Sequence, residues 1–177
     1  DVILEVLKRL SVKGGVGKII EYCGEGVKSL SVPERATITN MGAELGATTS
    51  VFPSDEITRE FLKAQQREDV WTALSADADA VYDEIVEINL SELEPYINGP
   101  FTPDAAYPIS EFNQIVKQKG YPQKMEAGLI GSCTNSSYED LTRAASIVKK
   151  AKEDGLTVKA QFIINPGSEQ VRFTAER

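Results

Sequence analysis

Residues 128–164 read GLIGSCTNSSYEDLTRAASIVKKAKEDGLTVKAQFII, and this stretch decides the fold class. Apolar runs at residues 128–130 and 158–164 predict two strands, and the sequence between them predicts a helix over residues 137–154. The apolar stripe of this helix consists of Leu141, Ala144, Ala145, Val148 and Ala151. A strand, a helix and a strand in this order are typical of a parallel sheet covered by helices.

Capping signals bound this helix and mark the start of another. Ser136 and Glu139 form an S-x-x-E pattern, which predicts a capping box in the first turn. Gly155 follows the last turn, where glycine commonly ends a helix. Residues 166–169, PGSE, predict the start of a second helix.

The first half of the chain also alternates helices and strands. Apolar periodicity predicts a helix over residues 2–10. Pro33 predicts the start of a helix over residues 34–46, and Ser54 predicts the start of a third helix. Apolar runs predict strands at residues 19–23, 49–52 and 85–90. We therefore predict an α/β fold with mainly parallel sheets.

Prolines and glycines concentrate at one place in the chain. They are Pro95, Gly99, Pro100, Pro103 and Pro108. Such a density predicts an ordered connector between two domains. The predicted domains are residues 1–93 and residues 94–177.

Composition argues against several classes of function. The formal charge of −8 argues against nucleic-acid binding, which needs a surplus of Lys and Arg. No apolar run approaches the roughly 20 residues that cross a bilayer, and no signal peptide opens the chain. The absence of histidine removes the Ser-His-Asp and Cys-His nucleophile systems. Cys23 and Cys133 form no disulfide framework and indicate buried thiols in a reducing compartment.

Cys133 lies between a predicted strand and a predicted helix, where parallel sheets place their sites. The free N–H groups and the dipole of a helix N-terminus favour a thiolate over a thiol. Neighbouring polar side chains, Asn135 among them, add hydrogen-bonding groups. Two interpretations remain: a structural cysteine, or a reactive thiol or metal ligand.

Asn40 and Glu44 are spaced i, i+4, which places them on one face of the predicted helix. Gly42 and Gly46 lie beside them and cost about 1 kcal/mol each in a helix interior relative to alanine. Close backbone approach is the usual reason for such glycines. This face is either a packing surface with a solvated Glu44 or a functional site.

Residues 13–18, KGGVGK, resemble a variant phosphate-binding loop. Such a loop needs a strand before it, a helix after it, and Ser or Thr after the last lysine. Here Ile19 follows the lysine, a helix is predicted before the loop and a strand after it. A glycine turn is therefore the favoured interpretation.

Four stretches together resemble the aconitases, iron–sulfur hydro-lyases that interconvert citrate and isocitrate. They are LIGSCTNSSYEDL at residues 129–141, TITNMGAELGATTSVFP at residues 37–53, NGPFTPD at residues 98–104 and NPGSEQ at residues 165–170. The resemblance runs along essentially the whole chain. It implies a three-layer α/β/α architecture with two consecutive aconitase-type subdomains, the second incomplete.

The resemblance also implies a role for each motif residue. Cys133 matches one of three cysteines that hold a [4Fe–4S] cluster, and Asn135 belongs to the same cofactor-binding loop. Glu44 matches an active-site carboxylate and Asn40 a polar neighbour of the cluster. The other two cysteines form a C-x-x-C pair that this chain does not contain, so we interpret it as an internal piece that retains no cluster and is inactive alone.

In the complete enzyme, the resemblance implies citrate, isocitrate and cis-aconitate as substrates and the remaining aconitase domains as partners. It implies a location in the mitochondrial matrix or the bacterial cytoplasm, with no membrane attachment. Three alternatives stay open: a homoaconitase or isopropylmalate isomerase, a cluster-free RNA-binding module, and a nucleotide-binding switch at residues 13–18.

Overall fold

The computed structural model describes residues 1–177 and contains six α-helices and six strands. The α-helices are α1 Val2–Leu10, α2 Val32–Asn40, α3 Glu56–Ala64, α4 Ile109–Lys119, α5 Tyr138–Glu153 and α6 Glu169–Ala175. The strands are β1 Ile19–Glu21, β2 Thr49–Val51, β3 Tyr96–Asn98, β4 Ala106–Pro108, β5 Ala127–Ile130 and β6 Gln161–Ile164. Two short 3₁₀ helices cover Glu25–Ser29 and Glu68–Val70. No helix is both long enough and apolar enough to cross a membrane.

The strands form three separate pairs. β1 pairs in parallel with β2, β5 pairs in parallel with β6, and β3 pairs with β4 in antiparallel fashion. The α/β class and the mainly parallel pairing are therefore confirmed. Each sheet here has two strands, and the three-layer architecture of the complete protein stays a prediction.

The chain divides into two compact units, residues 1–119 and residues 120–177. The predicted boundary after residue 93 differs, because β3, β4 and α4 belong to the first unit. Long-range polar contacts hold them there: Tyr96 N donates to Asp1 Oδ1 at 2.9 Å, and Lys8 Nζ donates to Tyr96 Oη at 3.3 Å. The limits of the two subdomains in the complete protein stay a prediction.

The core of the first unit lies beneath α1. Its fully buried side chains include Ile3 and Leu7 of α1 and Leu45 from the segment before β2. Ile38 of α2 packs into the same cluster. The spacing of Ile3 and Leu7 places both on one helical face, which is why this short helix buries an apolar stripe.

Three details of the predicted helices and strands are wrong. α2 ends at Asn40 rather than at residue 46, since glycine disfavours the helix interior and Gly46 adopts a φ of 80°. The first turn of α3 is capped by Asp55, not by Ser54. Residues 85–90 form no strand; side chains hold this segment instead, with Arg9 Nη1 donating to Glu87 O at 2.6 Å.

A buried arginine joins several elements of the first unit. Arg35 forms an ion pair with Asp55 at 2.7 Å, and its side chain is only 5% exposed. Its guanidinium also donates to the backbone carbonyls of Val27, Leu30 and Pro53. One side chain thus connects α2, the cap of α3 and the 3₁₀ helix at Glu25–Ser29.

Replacing Arg35 with alanine will lower the free energy of unfolding by about 3 kcal/mol, since it leaves Asp55 without its paired cation and the Val27 carbonyl without its donor. Urea unfolding followed by circular dichroism measures this. Lys28→Ala is the control, because its pair with Glu25 is exposed and should change stability little. Equal effects of the two variants would contradict the importance of the buried pair.

The same ion pair should make stability pH-dependent. The Arg35 guanidinium lowers the pKa of Asp55 below its ordinary value of about 3.9. A lowered folded-state pKa gives stability that is present above about pH 4 and is lost as the pH falls through the folded-state pKa. The stability difference between the wild type and Asp55→Asn should therefore shrink below about pH 4 in urea titrations. A difference that stays constant from pH 6 to pH 3 would contradict this linkage.

Candidate functional site

Cys133 lies in a loop at the carboxyl end of the parallel pair β5–β6. β5 ends at Ile130, and α5 begins at Tyr138, so the loop leads directly into a helix N-terminus. The thiol forms no disulfide and is exposed, with Sγ 3.8 Å from Thr134 Oγ1. The predicted position of Cys133 between a strand and a helix is confirmed. The expected burial of the two thiols is wrong, since Cys23 is exposed as well.

The first turn of α5 fixes the far side of this loop. Ser137, not Ser136, is the N-cap, and it forms a capping box with Asp140. Asp140 also accepts from Asn135 Nδ2 at 3.4 Å, so the helix cap orients the predicted loop asparagine. Glu139, the predicted capping partner, pairs with Arg143 at 2.9 Å instead. The sequence SSYED allows both capping boxes, which is why the spacing alone selected the wrong serine.

The loop after β6 packs against the Cys133 loop through two backbone contacts. Asn165 N donates to Ile130 O at 2.8 Å, and Gly167 N donates to Ser136 O at 3.0 Å. A Cβ atom at Gly131 would lie 2.8 Å from Asn165 O, so only glycine allows this approach. The NPGS segment therefore forms one wall of the Cys133 loop, a contact that no local pattern in the sequence reveals.

Asn40 and Glu44 lie at the other candidate site, in the first unit. Asn40 is the last residue of α2, and Glu44 lies in the turns that follow, so the prediction that they share one helical face is wrong. The glycine-rich sequence makes turns here: Gly46 N donates to Ala43 O, and Ala47 N donates to Gly42 O, each at 3.0 Å. The Glu44 side chain is exposed, whereas the adjacent Leu45 is completely buried.

The glycine loop of residues 13–18 holds the Glu44 turn in place. Gly15 N donates to Leu45 O at 3.0 Å, and Val16 forms a β-bridge with Ala47. A Cβ atom at Gly15 would lie 2.8 Å from Ala47 N. α1 precedes the loop and β1 follows it, as predicted, which is the opposite of the order in a phosphate-binding loop. Close packing explains Gly15, and a φ of 72° explains Gly17.

The predicted site residues thus form two pairs. Cys133 and Asn135 share one loop of the second unit, and Asn40 and Glu44 border one turn of the first unit. No three side chains of His, Cys, Asp or Glu form a group able to hold a metal ion. Cys133 supplies a single thiol, which is a soft type of metal ligand.

Comparison with known proteins gives a consistent result. The sequence model of the aconitase family (aconitate hydratase) matches residues 1–177. The chain is 55% identical over 184 residues to a mitochondrial aconitate hydratase of Emericella nidulans, covering 100% of this chain and 24% of that protein. It is 55% identical to the mitochondrial aconitate hydratase of Gracilaria gracilis, with the same coverage. A mitochondrial homocitrate dehydratase of Saccharomyces cerevisiae is 50% identical over 187 residues, covering 100% of this chain and 24% of that protein.

Replacing Gly46 with alanine will destabilise the Glu44 turn. Gly46 has a φ of 80°, and a Cβ atom there would lie 2.9 Å from Val16 Cγ2, so backbone strain and a steric clash add. We expect a loss of about 2–3 kcal/mol in urea unfolding. Gly17→Ala is the matched control, because Gly17 has a φ of 72° but no atom near its Cβ position, and about 1 kcal/mol is expected. Equal losses would show that the contact with Val16 does not constrain the turn.

Proposed function

Since this chain belongs to the aconitase family, we propose that it is part of an iron–sulfur hydro-lyase that isomerises citrate to isocitrate through cis-aconitate. The chain spans about a quarter of the length of the curated relatives it matches. The activity is accordingly proposed for the complete protein. The observation that carries the proposal is the exposed Cys133, which forms no disulfide, in a loop fixed by its neighbours.

We assign Cys133 as one ligand of a [4Fe–4S] cluster, with the remaining ligands supplied by the rest of the complete protein. Its thiol lies in the loop that joins the end of β5 to the N-cap of α5, the position at which parallel sheets place their binding sites. Asn135, held by Asp140, is assigned to the same cofactor-binding loop. When bound, such a cluster supplies Lewis-acid chemistry at an iron that has an open coordination position.

Glu44 is assigned to proton transfer. Dehydration of citrate transfers a proton from one carbon to a base that the rest of the complete protein supplies, and it removes a hydroxyl group from the next carbon. The hydroxyl group must be protonated to leave as water. A Glu44 carboxyl oxygen supplies that proton and takes it back from water during rehydration. The buried Leu45 and the bond from Gly15 hold the Glu44 backbone, so the exposed carboxyl group projects from a fixed turn. Asn40, at the end of α2, is assigned as its polar neighbour.

Homocitrate is the second candidate substrate. The homocitrate dehydratase of Saccharomyces cerevisiae is nearly as similar to this chain as the aconitate hydratases are. Citrate and homocitrate differ by one methylene group. The roles assigned to the Cys133 loop and to the Glu44 turn are the same for both substrates. The residues of the complete protein that contact the substrate carboxylates select between citrate and homocitrate.

We propose that the complete protein works in the mitochondrial matrix, because the relatives named above are mitochondrial proteins. The isolated chain should be inactive, since one thiol cannot hold a cubane cluster. Its second unit exposes Leu129, Phe162, Ile163 and Phe173, and we propose that other domains of the complete protein cover them.

Cys133→Ser in the complete protein should abolish cluster binding and reduce citrate turnover at least about a thousandfold, because a serine hydroxyl is a far weaker ligand for iron than a thiolate. Anaerobic reconstitution with iron and sulfide, read by visible absorbance and cis-aconitate formation, measures both. Cys23→Ser is the matched control, because Cys23 is also exposed and forms no disulfide, and it should retain cluster and activity.

A Cys133→Ser protein that keeps its cluster and its rate would overturn the assignment. Homocitrate turnover faster than citrate turnover by the wild-type protein would replace the proposed substrate and leave the cluster assignment intact. The isolated chain should stay colourless under the same treatment.

A further inference from the structure

The residue directly before Cys133 adopts an unusual backbone conformation. Ser132 has a φ of 72°, in the left-handed region that residues other than glycine rarely adopt. Such a conformation persists only where the surrounding structure enforces it, and it concentrates at functional sites. The direction in which Cys133 leaves the strand therefore depends on whatever holds Ser132.

Ser136 supplies that restraint. Its hydroxyl group donates to the carbonyl oxygen of Ser132, which closes a ring that contains residues 133–135. Ser136 is 4% exposed and is the only buried residue of the second unit. Because a buried hydroxyl group must keep its partner, this hydrogen bond ties the Ser132 carbonyl to a fixed point.

Gly167 in turn fixes Ser136. Gly167 N donates to Ser136 O at 3.0 Å, and a Cβ atom at position 167 would lie 2.5 Å from Ser136 Oγ. The absence of a side chain at Gly167 leaves the Ser136 hydroxyl free to turn toward Ser132. A series of contacts thus links the loop after β6 to Ser136, Ser136 to Ser132, and Ser132 to the backbone of Cys133.

We propose that Ser136 is the positioning residue of the cluster cysteine: it holds Ser132 in the left-handed conformation and thereby fixes the direction of the Cys133 thiolate. The inference rests on the proposed function of Cys133 as a cluster ligand. Ser136 acts through Ser132 and has no role as a nucleophile or base.

The test compares variants of the complete, reconstituted protein. Ser136→Ala should assemble a cluster and lose it about tenfold faster on exposure to air, in line with losses caused by removing support behind a metal ligand. The electron paramagnetic resonance spectrum of its oxidised cluster should also differ from that of the wild type. Adding Ser132→Gly to Ser136→Ala should restore much of the lifetime, because glycine adopts a φ of 72° without a restraint.

Ser137→Ala is the matched control. Ser137 is the neighbouring serine and caps α5, but it makes no bond to Ser132. Its loss should lower the urea midpoint while leaving the cluster lifetime and spectrum unchanged. If Ser136→Ala does not fold, Gly167→Ala provides the second route, since it keeps the serine and displaces its hydroxyl group, and the same faster loss and altered spectrum are expected.

Two outcomes would overturn the inference. In the first, Ser136→Ala and Gly167→Ala match the wild type in cluster lifetime and spectrum. In the second, Ser136→Ala and Ser137→Ala shorten the lifetime equally, which would show a structural role alone. Cys133→Ser, run in parallel, separates the two hypotheses: if it keeps its cluster, the proposed function fails as well, whereas if it loses the cluster, only the role of Ser136 is overturned.

Discussion

Contact between loops at the ends of paired parallel strands is the constraint on which both candidate sites depend. Parallel pairing of β1 with β2 brings Gly15 against the residues that precede β2, and pairing of β5 with β6 brings Gly167 against Ser136. In each case a side chain at the glycine would collide with its neighbour. Because the backbones touch, each loop is held by hydrogen bonds between main-chain atoms, and its shape depends little on solvent-exposed side chains.

Local signals in the sequence predict the elements and their order. The amphipathic pattern of α1, the turn before α6 and the strand-helix-strand order around Cys133 are all visible in single segments of chain. The errors arise where two local patterns compete. SSYED permits a cap at either serine, and the choice depends on Ser136 being buried against Gly167, which is a non-local contact.

The sequence did not predict how far the first unit extends. The prolines and glycines of residues 95–108 predicted an ordered connector between two domains, but this stretch contains β3 and β4, which belong to the first unit. Asp1 and Lys8 both bind Tyr96, and these contacts join residues far apart in the chain. Amino-acid composition does not reveal such pairs. The same holds for residues 85–90, whose apolar run predicts a strand but whose hydrogen-bonding partner is the Arg9 side chain.

The two candidate sites solve one physical problem in the same way. A group that binds a cofactor or transfers a proton must be accessible, and an accessible side chain has few contacts to orient it. In each loop the exposed group lies close to a buried residue: Glu44 adjoins Leu45, and Cys133 lies three positions before Ser136. The buried neighbour fixes the backbone while the functional atoms stay exposed. Preorganisation of this kind lowers the entropy lost on binding, because the backbone conformation is set before a cofactor or substrate arrives.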